Sequence, residues 1–388
     1  MKKLSNICII SSDYPTKTRA VMEFVRQLVE EFVDKGIQVN VVAPQSLVRD
    51  VIRRIGIMSR HETYLTSNGN PYEVHRPYTL SFGNGNKLLY KLVQRFNARH
   101  INTCLKHINP QVVYGHFWSS ATYAIDYCAT NDVPLFVANG ESYDNFDKWI
   151  SNLSAIQIQN IAQHTTGVIS VSTENFRKCI SHKLCTQQNS IVSPNCVDIS
   201  LFHPQKVTAT KQKYGIQEDD FVLIFVGGFI ARKGPDRVAR AITKLNDPHI
   251  KVMFVGKTFD GYKYDFDCPG IIHKGPIPHS QLPTLLNCAD VFILPTRNEG
   301  CCNAIVEALA CGIPVISSNG AFNDDILDKN NSIRVDANDV DGLTNAIAYL
   351  RDNPEVRQKM KISSLDRHNQ YSIENRAKNI IKFMEENC

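Results

Sequence analysis

Residues 294–319, LPTRNEGCCNAIVEALACGIPVISSN, decide the fold. The apolar run Asp290-Val-Phe-Ile-Leu294 reads as a buried strand that stops at Pro295. A polar loop carrying Glu299 and Gly300 follows. The pattern predicts a helix from about Asn303 to Gly312, a residue that ends helices, with Pro314 just beyond. Pro314-Val-Ile-Ser-Ser318 reads as a second buried strand. Strand, loop, short helix and strand make the repeating unit of a parallel α/β sheet.

Two acids flank the start of that helix, Glu299 in the loop and Glu307 in the helix. Unpaired backbone N–H groups and the positive end of the helix dipole attract phosphate there. Gly300 lets a ligand come close to the backbone. A carboxylate on each side suits a nucleoside diphosphate that carries a sugar. One acid accepts hydrogen bonds from ribose hydroxyls, the other from sugar hydroxyls. The plainer reading, a loop Glu and a solvated helix Glu, stays open on this stretch alone.

Working outward, 388 residues allow two domains of ordinary size. Charged residues make up 21% and hydrophobic ones 43%, the balance of a soluble globular chain. No apolar run approaches the roughly 18 residues of a membrane span. Ile7-Cys-Ile-Ile10 is too short for a signal-peptide core and reads as the first strand, so a cytoplasmic location is expected. Of twelve cysteines none forms a C-x-x-C pair, which removes zinc spacing. Most lie in apolar segments, Cys8, Cys104, Cys128 and Cys288 among them, and read as reduced core thiols. No convincing Asp-x-Asp metal site is present.

The net charge of +5 lies wholly in residues 1–200, which hold 20 Lys/Arg against 15 Asp/Glu. Lys87, Lys91, Arg95 and Arg99 recur every four residues on a predicted helix over 86–107. Its Leu88, Leu92, Phe96 and Leu105 are expected to face inward. No acid occurs between Glu73 and Asp126, and Arg49, Arg53, Arg54 and Arg60 can extend the patch. A solvated helix face explains the stripe. The sharper reading is a surface for anionic lipid head groups, at about 1 kcal/mol per cation. Nucleic acid is not an expected partner, because no motif for it and no interleaved aromatics accompany the stripe.

The chain opens with a strand over 6–12 and a loop holding Thr18 and Arg19. A helix follows with Val21, Phe24, Val25, Leu28, Val29 and Phe32 on one face, then strand 39–43. This opening is doubly wound in character but lacks G-x-G-x-x-G. Strand 111–114 runs into Gly115-His116-Phe117-Trp118, and strand 134–138 into Asn139-Gly140-Glu141. Both loops follow strand C-terminal ends, where open α/β sheets bind ligands. His116 and Glu141 are therefore candidates to meet a substrate, with loop hydrogen bonding as the plainer role. The second half restarts at strand 221–226, followed by Gly227-Gly228 and then Arg232-Lys233-Gly234. Two cations in a strand-to-helix turn can neutralise a diphosphate. The next strands end at Gly256 and Gly275.

Taken together, these segments resemble family four of the glycosyltransferases, most strongly over residues 190–350. Glu299 to Glu307 matches the family's E-x7-E motif. Residues 227–234 match its glycine and basic donor loop, and Asn195-Cys-Val-Asp-Ile-Ser-Leu-Phe202 its hinge motif N-G-V-D-x-x-x-F. The resemblance implies the α/β GT-B fold, two Rossmann-like doubly wound domains facing a central cleft. Residues 1–200 would bind the acceptor and 201–370 the nucleotide sugar, with 371–388 a helix crossing back to the first domain. It implies a retaining hexosyltransferase that needs no metal or other cofactor. The donor would be a UDP- or GDP-hexose. The acceptor would be a glycan or lipid-linked saccharide of surface polysaccharide synthesis, met at the cytoplasmic face of the inner membrane. A sugar-nucleotide epimerase, a phosphorylase or a silent binding subunit of the same fold are the alternatives.

The resemblance also assigns roles. Glu307 matches the acid that binds the donor ribose, Glu299 the acid facing the transferred sugar, and Lys233 the lysine on the diphosphate. Gly300, Cys301, Cys302 and Asn303 match the cradle for sugar and phosphate. Gly227, Gly228, Gly256 and Gly275 fall on the donor side. Arg232 and His116 join the catalytic set, and Thr18, Arg19, Asn139, Gly140 and Glu141 the acceptor side. Three departures stand out. Gly228 replaces the family's usual Arg, a charge Arg232 can supply from the other end of the loop. Asn139-Gly140 replaces His-Gly, and Thr18-Arg19-Ala20 replaces paired glycines, so the acceptor is not read by analogy.

Overall fold

Apolar runs such as Asn6–Ser11 (NICIIS) and Phe221–Val226 (FVLIFV) have no polar face, so each must be covered on both sides. Parallel sheets between helix layers do this. The computed structural model describes residues 3–16, 21–52, 56–81, 87–258 and 264–388. These fall into two units, Met1–Ser193 with Arg376–Cys388, and Pro194–Asn375.

The first unit holds an eight-stranded sheet. Its order is Ser190–Val192, Gly167–Ser170, Leu135–Asn139, Val112–His116, Asn6–Ser11, Gln38–Val42, Pro71–His75 and His61–Leu65. Seven strands run parallel, and His61–Leu65 closes one edge antiparallel to Pro71–His75. Those two strands lie in residues 46–85, where the sequence shows no clear period. Helix Glu23–Asp34 buries Val25, Leu28, Val29, Phe32 and Val33, the face expected from its spacing. In the last helix, Ile373–Glu386, Phe383 meets Phe136 edge-on and Glu385 accepts the Leu4 N–H.

Helix Lys87–Ile108 corrects one expectation. Its inward face is Val93, Asn97, Ile101 and Leu105, all buried, four residues apart. Leu92 and Phe96, expected inside with Leu105, are exposed. The side chain of Leu88 lies outside the described residues. The cause is polar: the Asn97 amide bonds both the N–H and the C=O of Leu80, and that pair of bonds fixes the helix rotation.

The second unit is a six-stranded, all-parallel sheet. Its order is Ile271–Gly275, Ile250–Val255, Phe221–Val226, Val291–Leu294, Val315–Ser318 and Ser332–Val335. Numbered along the chain this is 3-2-1-4-5-6, the doubly wound order. The order reverses between Phe221–Val226 and Val291–Leu294, which opens a crevice beyond their C-terminal ends. Gly256 is required next to it. Its φ is +154°, and a Cβ there would sit 1.9 Å from the Gly227 carbonyl oxygen. Gly256→Ala is expected to lower stability by about 2–4 kcal/mol. A thermal melt of the variant checks this, and an unchanged midpoint would contradict it.

Candidate functional site

Two loops meet at the crevice of the second unit. One leaves Phe221–Val226 and ends at Gly234, the N-cap of helix Pro235–Leu245. The other leaves Val291–Leu294 and ends at Cys302, the N-cap of helix Asn303–Ala310. Between them sits a cluster of charge on one carboxylate oxygen. Glu299 Oε1 takes Lys233 Nζ at 2.5 Å, Arg232 at 2.8 Å and the Thr296 hydroxyl at 2.9 Å. Arg232 also donates to the Asn298 carbonyl.

Glu299 is only 9% exposed. Burial is the largest influence on its carboxyl and pushes its pKa up, but Lys233, Arg232 and Thr296 outweigh it and hold the group below the usual range. The Lys233 ammonium feels the same opposition. Burial lowers its pKa, the Cys302 thiol and Glu299 raise it, and the net is upward. Lys233 therefore stays charged, with Nζ 3.9 Å from Cys302 Sγ. Burial pushes the Cys302 thiol up, against the pull of the Lys233 ammonium beside it.

Glu307 lies on the same helix, buried, with Oε1 2.9 Å from His279 Nε2. The His279 ring leans on Phe202 at 5.4 Å. Asn195 of the hinge-like motif donates to the Cys301 carbonyl at 3.0 Å and to Asn303 Oδ1 at 2.7 Å, which pins the turn before the helix. The structure thus brings together Glu299, Lys233, Arg232 and Cys302, with Gly300, Cys301 and Asn303 in the same loop. Gly227 and Gly228 end the central strand beneath, and Gly227 packs under the Lys233 stem. Gly256 and Gly275 end the next two strands, bonded to each other through Gly256 N–H and Gly275 C=O at 3.0 Å. Gly275 is therefore two strands from the cluster.

The sequence reading missed Arg237, His279 and Thr296. Arg237 is 2% exposed and donates to the Ala231 and Pro295 carbonyls, both at 2.8 Å, and to Arg232 C=O at 3.3 Å. It ties the two loops of the crevice together. One signal was available: a cation in the first turn of a helix opposes the dipole and so calls for a partner outside the helix. His279 and Thr296 carry no such signal.

The first unit has its own reversal point, between Asn6–Ser11 and Val112–His116, where Ser11 and His116 are in register. His116 is buried against Phe24 and Phe117, and among the described residues neither ring nitrogen is hydrogen-bonded. Burial and then Arg376 push its pKa down to about 3, so it is neutral. Phe117 takes φ 75° and ψ 152°, a conformation nearly confined to glycine. Such strain collects at functional sites. Asn139 is committed to Trp118, Ser170 and Asn175. Glu141 Oε1 accepts the Trp118 N–H at 2.6 Å, and Oε2 has no hydrogen-bond partner among the described residues. Gly140 packs against Phe117 and Val171. Thr18 and Arg19 lie outside the described residues.

Burial raises the Glu141 carboxyl to about 7. A carboxyl raised in the folded state stabilises below its unfolded pKa of about 4.3, and that contribution is lost as pH rises through the folded value. Glu141→Gln stays neutral throughout. Its stability relative to the parent is expected to improve by about 2 kcal/mol between about pH 5.5 and about pH 8.5. Urea unfolding at the two pH values measures this, and a pH-independent difference would contradict it.

The family described as glycosyl transferases group 1 matches residues 206–365. An Escherichia coli UDP-Gal:alpha-D-GlcNAc-diphosphoundecaprenol alpha-1,3-galactosyltransferase is 27% identical over 204 residues, 50% of this chain and 53% of that one. A D-inositol 3-phosphate glycosyltransferase from Arthrobacter sp. is 23% identical over 282 residues, 66% of this chain and 65% of that one. The chain thus spans about half to two thirds of the length of these curated relatives. Among solved structures, a sucrose-phosphate synthase from Thermosynechococcus elongatus superposes with a TM-score of 0.77 at 16% identity, over 98% of both chains. Anabaena Alr3699/HepE in complex with UDP gives 0.74 at 13% identity, over 98% of this chain and 100% of that one. These similarities establish the GT-B fold.

Proposed function

We propose that this chain, whose residues 206–365 match the family described as glycosyl transferases group 1, transfers a sugar from a nucleotide-diphosphate sugar to a hydroxyl acceptor. The observation that carries this is the convergence of Lys233 and Arg232 on Glu299 at the reversal point, beside the start of helix Asn303–Ala310. Lys233, with three donors, can bind Glu299 and a phosphate oxygen at once. Arg232 and the backbone N–H groups after Gly300 add to that grip. Glu299 then faces the sugar hydroxyls, and Glu307, oriented by His279, takes the ribose diol.

In the reaction the bond from the anomeric carbon to the diphosphate oxygen breaks, and its electron pair leaves with the diphosphate. The acceptor oxygen attacks from the face the diphosphate leaves, so the anomeric configuration is retained. The acceptor proton passes to the departing phosphate. Lys233 and Arg232 stabilise the charge that develops on the leaving group, so the residues present are sufficient for metal-independent transfer. The donor is a UDP- or GDP-hexose, since structures of this fold were solved with UDP, with UDP-glucose and with UDP-2-fluoro glucose. The acceptor is a glycan or a lipid-linked saccharide of surface polysaccharide synthesis; the name of the E. coli relative gives a lipid-linked saccharide, alpha-D-GlcNAc-diphosphoundecaprenol, as its acceptor. His116, Phe117, Asn139, Gly140 and Glu141 belong to the acceptor side.

A thermal-shift screen against UDP-, GDP- and ADP-sugars tests the donor reading. One base is expected to raise the melting temperature well above the others. No shift with any of them would remove the proposal.

A further inference from the structure

The corrected rotation of helix Lys87–Ile108 leaves a surface that the sugar-transfer reading does not use. Leu89, Leu92 and Phe96 lie at i, i+3 and i+7, and are 42%, 54% and 37% exposed. Arg95 and Arg99 are exposed on the same stripe, and among the described residues neither pairs with an acid. No Asp or Glu occurs in residues 74–125. Single exposed leucines are ordinary, but an apolar ridge bordered by cations on one helix face is not a simple solvated surface. The Phe96 ring packs on His100 at 4.1 Å, which holds it in place.

A short helix is tethered to the same part of the unit through a two-stranded ribbon. Ser46 and Ser81 share a hydroxyl contact of 2.5 Å, and strand Gln45–Ser46 pairs with Tyr78–Thr79. Asn97 fastens the long helix to Leu80 at one end of this ribbon. Asp50 fastens the short helix Arg49–Ile52 to Ser46 at the same end, since the ribbon is parallel. That short helix exposes Val51 and Ile52. Of the other cations expected in the patch, Arg49 is paired with Asp50 and Arg60 lies over the Tyr78 ring. Arg53, Arg54 and the side chains of Lys87 and Lys91 lie outside the described residues.

We propose that this face docks the protein on an anionic lipid bilayer. Leu89, Leu92 and Phe96 enter the boundary between head groups and acyl chains, while Arg95 and Arg99 pair with lipid phosphates. A convex apolar ridge bordered by cations fits that boundary, where apolar burial and attraction to anionic lipid add. The docking is independent of the donor site. Its failure would leave the sugar-transfer reading intact, and the reverse also holds.

Flotation tests it with vesicles of phosphatidylcholine alone and of phosphatidylcholine mixed with phosphatidylglycerol. The protein is expected to float with the mixed vesicles and not with the neutral ones. Arg95→Gln with Arg99→Gln is expected to weaken binding about thirty-fold. Leu92→Ser with Phe96→Ser is expected to abolish the part of the binding that survives high salt. All four positions are exposed, and an unchanged melt of each variant verifies the fold. Equal flotation on both vesicle types, or on neither, overturns the proposal. So does a dimer in sedimentation that Leu92→Ser with Phe96→Ser dissociates, since the ridge would then cover a second copy.

Discussion

Replacing Lys233 with Met is expected to lower kcat for sugar transfer by about 10²–10³-fold. Lys233 is the ammonium closest to Glu299, with 14% of its side chain exposed, and it stays charged despite burial. A preorganised donor aimed at charge that develops in the transition state contributes about 3–4 kcal/mol in comparable sites. Met keeps the stem and removes the charge. Arg232 remains on Glu299, so the loop should hold its shape and the melting temperature should change little. Initial rates of nucleoside diphosphate release with the preferred donor measure the effect. A loss of less than tenfold would assign the diphosphate to another group.

Arg237→Met is expected to reduce stability by about 3–5 kcal/mol, which corresponds to a fall in melting temperature of roughly 6–20 °C for the second unit. The guanidinium is nearly fully buried and serves three backbone carbonyls from the two loops of the crevice. Met fills the volume but leaves the Ala231 and Pro295 carbonyls without that donor, at about 1–3 kcal/mol each where water cannot replace it, while the Arg232 carbonyl keeps the Arg297 N–H. The two loops would also lose their fixed spacing, so Lys233 and Glu299 would separate and kcat would fall with stability. Scanning calorimetry separates the units, and the transition of the second unit should move. An unchanged transition would show that Arg237 is not the clamp.

The second sheet was legible in the sequence because parallel strands covered on both faces are short apolar runs closed by Gly or Pro. Leu294-Pro295, Val226-Gly227 and Val255-Gly256 show this. The cluster of Glu299, Lys233 and Arg232 was legible as chemistry, since charged residues beside glycines at strand ends need a reason to be there. Their convergence on one carboxylate oxygen was not, because 66 residues of chain separate Lys233 from Glu299 and only the reversal of strand order joins them. The hairpin of His61–Leu65 and Pro71–His75 was hidden for a different reason. Its outer strand lies at an exposed edge and has no apolar alternation to read. Leu92 and Phe96 misled because apolar residues wrap around most of that helix, and the rotation is set by the Asn97 amide instead of by hydrophobic spacing.

We propose that Lys233 and Arg232 grip the diphosphate of an activated sugar whose hydroxyls face Glu299. Isothermal titration of UDP, GDP and ADP into the parent protein and into Lys233→Met tests it most directly. One nucleoside diphosphate is expected to bind the parent, and to bind Lys233→Met at least about tenfold more weakly. Equal affinity in both proteins, or no binding of any of the three to the parent, would contradict it.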